Sequence, residues 1–145
     1  MIKVESSIDL DYPLEEAFAF VTDASNDPLW HTDVREARRV SDRPVEVGSE
    51  FIWVVAFAGR EQAIARITEL KPTTHARLEV KFRFARSALI YDLAPLDGGT
   101  RFTRRVEMRM RGPLRVVEPF MRSKIGKQNE RFLINLEQAL SGGLR

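Results

Sequence analysis

The chain lacks cysteine altogether. That excludes a disulfide framework, a thiolate nucleophile and any cysteine-ligated zinc. It also fits a reducing compartment, so a cytoplasmic location is expected. There are only two histidines, His31 and His75. They are far apart and without metal-type spacing, so neither a zinc site nor any other cofactor is expected. Long apolar runs are missing too: no stretch approaches the ~20 residues that a membrane span needs. Met1-Ile2-Lys3-Val4-Glu5 alternates rather than forming a continuous apolar segment, so no signal peptide is expected. No G-x-S-x-G elbow, P-loop or dinucleotide glycine pattern occurs, so no activated-serine or nucleotide-binding motif is offered.

What is present is ordinary globular composition: 145 residues, 43% hydrophobic and 30% charged, a size that suits one domain over 1–145. The net charge of +2 hides an asymmetry. Residues 1–60 carry 6 Lys/Arg against 12 Asp/Glu, whereas residues 101–131 carry 10 against 3. Such a split marks either a surface for anions or simply two solvated faces. Arg122, Lys124, Lys127 and Arg131 lack interleaved aromatic residues, so sequence-specific nucleic-acid binding is not expected.

Periodicity gives the element order. Ile2 to Leu10 alternates as a half-buried strand. Pro13 opens a short helix with Glu15 and Glu16 in its first turn. Thr22 to Pro28 reads as a break, and Pro28-Leu29-Trp30-His31 as a second short helical turn. Six strands follow: Val34–Val40, Phe51–Phe57, Glu61–Leu70 after a turn at Gly59, Leu78–Phe84, one around Leu89–Leu93, and Thr100–Met110. Asp97-Gly98-Gly99 makes a hairpin turn before the last. After Gly112-Pro113 comes a long helix over 114–140. Its stripe comprises Leu114, Val117, Phe120, Met121, Ile125, Phe132, Leu133, Leu136 and Leu140. Pro119 means that this helix either kinks there or becomes regular at Glu118.

These elements predict an α+β fold with about seven antiparallel strands, two short helices between the first and second, and a long helix across one face. A twisted sheet and a straight helix cannot touch everywhere, so the gap is either filled by large side chains or left as a cavity. Phe51, Trp53, Val55 and Phe57 face it from one strand, Leu78, Val80, Phe82 and Phe84 from another. Phe102, Val106, Met108 and Met110 face it from the last strand. Ala63 and Ala65 favour space over fill.

Ser6-Ser7-Ile8-Asp9-Leu10 followed by Pro13-Leu14-Glu15-Glu16-Ala17-Phe18-Ala19-Phe20-Val21-Thr22-Asp23 resembles the START-like, helix-grip (SRPBCC) superfamily, in its polyketide cyclase/dehydrase-like branch. So do Asp27-Pro28-Leu29-Trp30, Val47-Gly48-Ser49-Glu50-Phe51, Glu69-Leu70-Lys71-Pro72, Gly98-Gly99-Thr100-Arg101-Phe102-Thr103 and the terminal helix. The resemblance runs in order over nearly the whole chain. It implies the helix-grip fold and a ligand cavity between sheet and terminal helix. No catalytic set is matched residue by residue.

Arg104 carries the most information. Alternation between Phe102 and Val106 turns its guanidinium inward, where an unpaired charge is costly. It either anchors a ligand carboxylate, phosphate or carbonyl, or is turned out by a bulge, snorkels to the rim or pairs with an internal acid. As an unpaired anchor, its replacement by methionine should keep or raise stability while weakening anionic ligands. Tyr91 shares an inward face and is either a ligand-orienting group or a satisfied core tyrosine. Trp30 and His31 fall where they could rim a pocket mouth, with His31 either an acid/base group or, more simply, an exposed loop residue. His75 reads as a surface residue.

The expected ligand-binding residues are therefore Trp30, His31, Trp53, Phe82, Tyr91, Arg104 and Met108 on the sheet side, with Phe120, Met121 and Ile125 on the helix. The expected function is binding of a hydrophobic, oxygen-bearing small molecule (lipid-, polyketide- or aromatic-like) by a monomer or homodimer. A cyclase/dehydratase-type enzyme would instead show two or more titratable groups converging in the cavity. A protein-interaction module, as in co-chaperone relatives, would show a collapsed core with an exposed apolar patch.

Overall fold

The computed structural model describes residues 1–56 and 60–143. Seven strands form one antiparallel sheet: β1 (Ile2–Leu10), β2 (Val34–Arg39), β3 (Glu50–Ala56), β4 (Arg60–Lys71), β5 (His75–Lys81), β6 (Ala85–Leu96) and β7 (Gly99–Met110). Their spatial order is β1-β7-β6-β5-β4-β3-β2. Six strands thus form a meander, and β1 is inserted at its far edge against β7. Helix α1 (Leu14–Thr22) and a 3-10 turn (Ala24–Leu29) separate β1 from β2. A second 3-10 turn (Gly112–Val117) leads into helix α2 (Glu118–Gly143). The α+β helix-grip architecture expected from the sequence is the one found.

Register follows the alternation. Phe102, Arg104 and Val106 of β7 point to the helix side, while Arg101 and Arg109 are solvated on the other. Across the ladder, Tyr91 on β6 and Ser6 on β1 flank Arg104 directly. The strand register shifts at Val34/Glu36 and at Ile67/Glu69, as it does at a bulge. The β6–β7 hairpin uses Gly98 at φ +75°, a left-handed conformation that glycine adopts without steric cost. At Gly99 any side-chain carbon would collide with the Leu10 carbonyl of the β1 end.

The two short helical segments expected between the first and second strands are found, and three expected boundaries shift. The strand anticipated over Leu78–Phe84 stops at Lys81, because the Phe82 amide bonds back to the Ala85 carbonyl at 2.9 Å and turns the chain. The break anticipated from Thr22 to Pro28 is largely a 3-10 turn, capped by the Asp23 carboxylate, which accepts from the Ser25 amide at 3.1 Å. Its exit is Trp30-His31, rather than a helical turn over Pro28–His31. Phe57 and the turn at Gly59 lie outside the described residues.

Helix α2 becomes regular at Glu118, with Pro119 in the first turn where its missing N–H costs nothing. Ile125, Phe132, Leu133, Leu136 and Leu140 are buried against the sheet as expected. Phe120 is not: it is 84% exposed. Counting back from Ile125 in steps of four and three lands on Met121 and Glu118, so Phe120 lies off the buried stripe. Leu114 and Val116 precede the regular helix and are exposed as well.

Candidate functional site

Between the inner face of the sheet and α2 lies a chamber lined by His31, Asp33, Trp53, Val80, Phe82, Ser87, Leu89, Arg104, Val106, Met108, Ile125, Gln128 and Phe132. Its free volume is about 40 Å³. That admits a few waters, against the roughly 300–1,000 Å³ of sites for drug-sized ligands. The space that curvature creates is therefore mostly filled by aromatic side chains. Phe82 and Met108 on its wall are only half-buried. A wider groove of about 600 Å³, between α1 and the end of α2, is open to solvent and carries none of the buried polar groups described next.

One end of the chamber is polar, and Arg104 organises it. Its Nη1 donates to Asn129 Oδ1 at 2.5 Å, and Asn129 Nδ2 donates back to the Arg104 carbonyl at 3.0 Å. Its Nη2 donates to His31 Nε2 at 3.2 Å. The guanidinium also lies over the rings of Phe132, at 5.3 Å, and Trp30, at 5.8 Å. Of the alternatives for this residue, the inward one is found, held by neutral acceptors rather than by a direct carboxylate contact.

The bond to Arg104 fixes the tautomer of His31. Arginine only donates, so Nε2 accepts and the proton sits on Nδ1. That nitrogen is 3.6 Å from Asp27 Oδ2. Burial, reinforced by the Arg104 charge, holds the imidazole well below its ordinary pKa, so it is neutral. Asp27 is fully buried, and burial pushes its carboxyl well up against the opposing attraction of Arg104. Neither carboxylate oxygen has a protein hydrogen-bond partner; nor do Trp30 Nε1, Tyr91 OH and Arg104 Nε. Burial likewise raises Asp33, again opposed by Arg104.

Local structure explains how these groups converge. The Asp27 carbonyl accepts the amides of both Trp30 (3.0 Å) and His31 (2.7 Å) at the end of the 3-10 turn. This tight exit drives both rings into the core, with centroids 3.9 Å apart. His31 then packs on Phe132 of α2, with ring centroids 5.0 Å apart. The expectation of an exposed loop histidine is thus overturned: His31 is 1% exposed. Trp30 is wholly buried rather than at a rim.

Of the ten sequence-derived candidates, His31, Trp53, Phe82, Arg104, Met108 and Ile125 meet at the chamber. Trp30 and Tyr91 form the layer behind it, their rings 5.9 Å apart, and burial pushes the Tyr91 hydroxyl well above its ordinary pKa. Met121 is half-buried one turn before Ile125, and Phe120 is remote from the chamber. Sequence reasoning missed Asp27, Asp33, Gln128 and Asn129. A signal existed for one: Asn129 sits four residues after Ile125 and three before Phe132, a polar residue in phase with the apolar stripe. His75, read as a surface residue, lies on the outer sheet face between Asp92 (Nδ1 to Oδ1, 2.7 Å) and Glu69 (Nε2 to Oε1, 2.8 Å).

The chain belongs to the family described as polyketide cyclase / dehydrase and lipid transport, matched over residues 1–141. Among solved structures it is similar to a START superfamily protein from Mycobacterium smegmatis (TM-score 0.82, 14% identity, covering 97% of this chain and 98% of that one). A protein from Thermus thermophilus superposes with TM-score 0.76 at 15% identity, covering 97% and 98%. The di-domain ARO/CYC BexL from the BE-7585A biosynthetic pathway gives 0.77 at 14%, covering 97% of this chain and 47% of that one. No curated protein matches. No helix among the described residues is long and apolar enough to cross a membrane.

Proposed function

We propose that the protein binds a hydrophobic small molecule with a carbonyl or anionic oxygen, its polar end against Arg104 and its apolar body along Val80, Phe82, Leu89 and Met108. The observation that carries this reading is the buried guanidinium at the chamber wall. Its bonded partners are neutral, so its charge favours an incoming oxygen. The small resting volume means that a ligand enters only if Phe82 and Met108 swing aside. The lack of cysteine makes the cytoplasm the natural place for it. Native mass spectrometry of protein purified without added ligand tests the reading, with a co-purified oxygenated apolar mass as the expected result. Absence of any such mass, together with unchanged tryptophan emission on adding 2-naphthoate or oleate, rejects it.

A second reading, a cyclase/dehydratase-type enzyme, is favoured by the convergence of His31, Asp33 and Arg104 on the chamber. The lone pair of His31 is engaged by Arg104, which leaves Asp33, its pKa raised by burial, as the better proton-transfer group. Turnover that falls tenfold or more in Asp33→Asn, with binding kept, would establish this reading.

A further inference from the structure

Phe120 and Val116 are 84% and 74% exposed, and Leu114 and Phe84 are exposed beside them. The backbone brings these residues to one end of the molecule. The Phe84 carbonyl accepts the Arg111 amide at 2.9 Å, and the Leu114 amide bonds to the Arg111 carbonyl at 3.2 Å. Val116 lies in the same 3-10 turn, and Phe120 in the first turn of α2.

The setting is basic. From Arg109 to Lys127 the chain has six Lys/Arg and a single acid, Glu118. That acid is buried, its carboxylate accepting the Met110 amide at 2.8 Å. Arg83 stacks over the Phe84 ring at 5.1 Å, and the nearby Glu61 carboxylate is tied to the Arg83 amide. On α2, Lys124 and Lys127 follow Phe120 at i+4 and i+7, which puts all three on one solvent-facing stripe.

We propose that this end of the protein docks on an anionic lipid surface, its four apolar side chains entering the headgroup–acyl boundary while the surrounding arginines and lysines meet phosphate. Two features select a membrane over a protein partner. Phe120 and Val116 project singly, with little lateral packing, which a fluid surface accommodates more readily than a close-packed interface does. The charge around them is predominantly positive, six Lys/Arg from Arg109 to Lys127 against the single acid Glu118, and matches anionic headgroups. The docked end also borders the half-buried chamber wall: Phe82 is two residues from Phe84, and Ile125 lies just over one helical turn beyond Phe120. Exchange of an apolar ligand with the lipid would follow; only that last link rests on the proposed ligand binding.

The test is co-sedimentation with phosphatidylcholine vesicles, with and without about one-third phosphatidylglycerol, at salt of about 0.05 and 0.15 M. The expected result is binding about tenfold or more tighter to the anionic vesicles, weakening as salt rises. Phe120→Ser combined with Val116→Ser should weaken it about tenfold without changing Tm, because neither side chain is in the core. Arg111→Glu and Arg115→Glu should each cost about fivefold or more. Because the chain has no cysteine, Val116→Cys carrying an environment-sensitive fluorophore gives a second readout, a blue shift on anionic vesicles only. Three results overturn the proposal: no sedimentation with anionic vesicles, sedimentation unchanged by the double serine variant, or a dimer in solution that Phe120→Ser abolishes. The second would indicate a response to polyanions by charge alone, and the third would assign the patch to a second copy.

Discussion

Arg104 on β7 and Asn129 on α2 grip each other twice, guanidinium to amide oxygen at 2.5 Å and amide nitrogen to main-chain carbonyl at 3.0 Å. Both residues are buried, so this pair adds a polar tie between the long helix and β7 to the apolar packing of Ile125, Phe132, Leu133, Leu136 and Leu140. Asn129→Leu fits the apolar stripe but leaves the guanidinium and a backbone carbonyl short of partners. It should destabilise the fold by about 2–3 kcal/mol in urea titration. A loss below about 0.5 kcal/mol, within the range of neutral surface changes, would show the pair to be incidental.

Read as an unpaired charge, Arg104 should be replaceable by methionine with stability kept or raised. The structure reverses that sign. Removing the guanidinium strips Asn129 Oδ1 and His31 Nε2 of their donor and leaves Asp27 without its opposing charge. A loss of about 1–3 kcal/mol is expected from the two buried acceptors left without a donor, measured by chemical denaturation. An unchanged or raised midpoint would restore the original expectation.

The two histidines should move stability with pH in opposite directions. His31 is held below its ordinary value of 6.5 by burial and then Arg104. The unfolded chain therefore takes up a proton that the folded one refuses, and the contribution present above about 6.5 is lost as pH falls. His75 is raised, chiefly by its bond to Asp92 and then by that to Glu69. Its contribution is complete below about 6.5 and disappears as pH rises through its folded value. Imidazole NMR should show His75 titrating above 6.5 and His31 as a neutral Nδ1–H tautomer throughout; a His31 signal titrating near 6.5 would contradict its buried setting.

Gly126 lies inside α2, and a methyl group there would meet a Val4 methyl at 3.7 Å, an ordinary contact. Gly126→Ala should therefore stabilise by about 0.5–1 kcal/mol through helix propensity alone. Gly99→Ala, forced against the Leu10 carbonyl, should cost about 1–3 kcal/mol. Thermal melts of the two variants should move to opposite sides of the parent; the same direction for both would refute the packing assigned to them.

Most of the fold was legible because strand alternation and the apolar stripe of α2 are local signals of burial. Arg104 was legible for the same reason, its phase fixed by Phe102 and Val106. His31 was not. Its burial depends on two amides sharing the Asp27 carbonyl at the exit of a 3-10 turn, a geometry with no periodic signature. Phe120 was misplaced because apolar residues adjacent in sequence were merged into one stripe, although the helix had not yet begun at Leu114. Asp27 and Asp33 escaped because acids in a turn-rich segment ordinarily read as solvated, and only the assembled core shows what surrounds them.

The pairing of β1 with β7 has a consequence for synthesis. Ser7 and Thr103 meet across that ladder although 96 residues separate them. As the chain leaves the ribosome, β1 is made long before its partner and must wait with one edge and an apolar face uncovered. The β2-to-β7 meander can meanwhile zip hairpin by hairpin from neighbouring segments. The slow event is then the arrival of β1 at the finished meander, with the Asn129 segment of α2 closing over it. Until that moment there is no chamber, because Ile125, Gln128 and Phe132 of α2 supply its far wall.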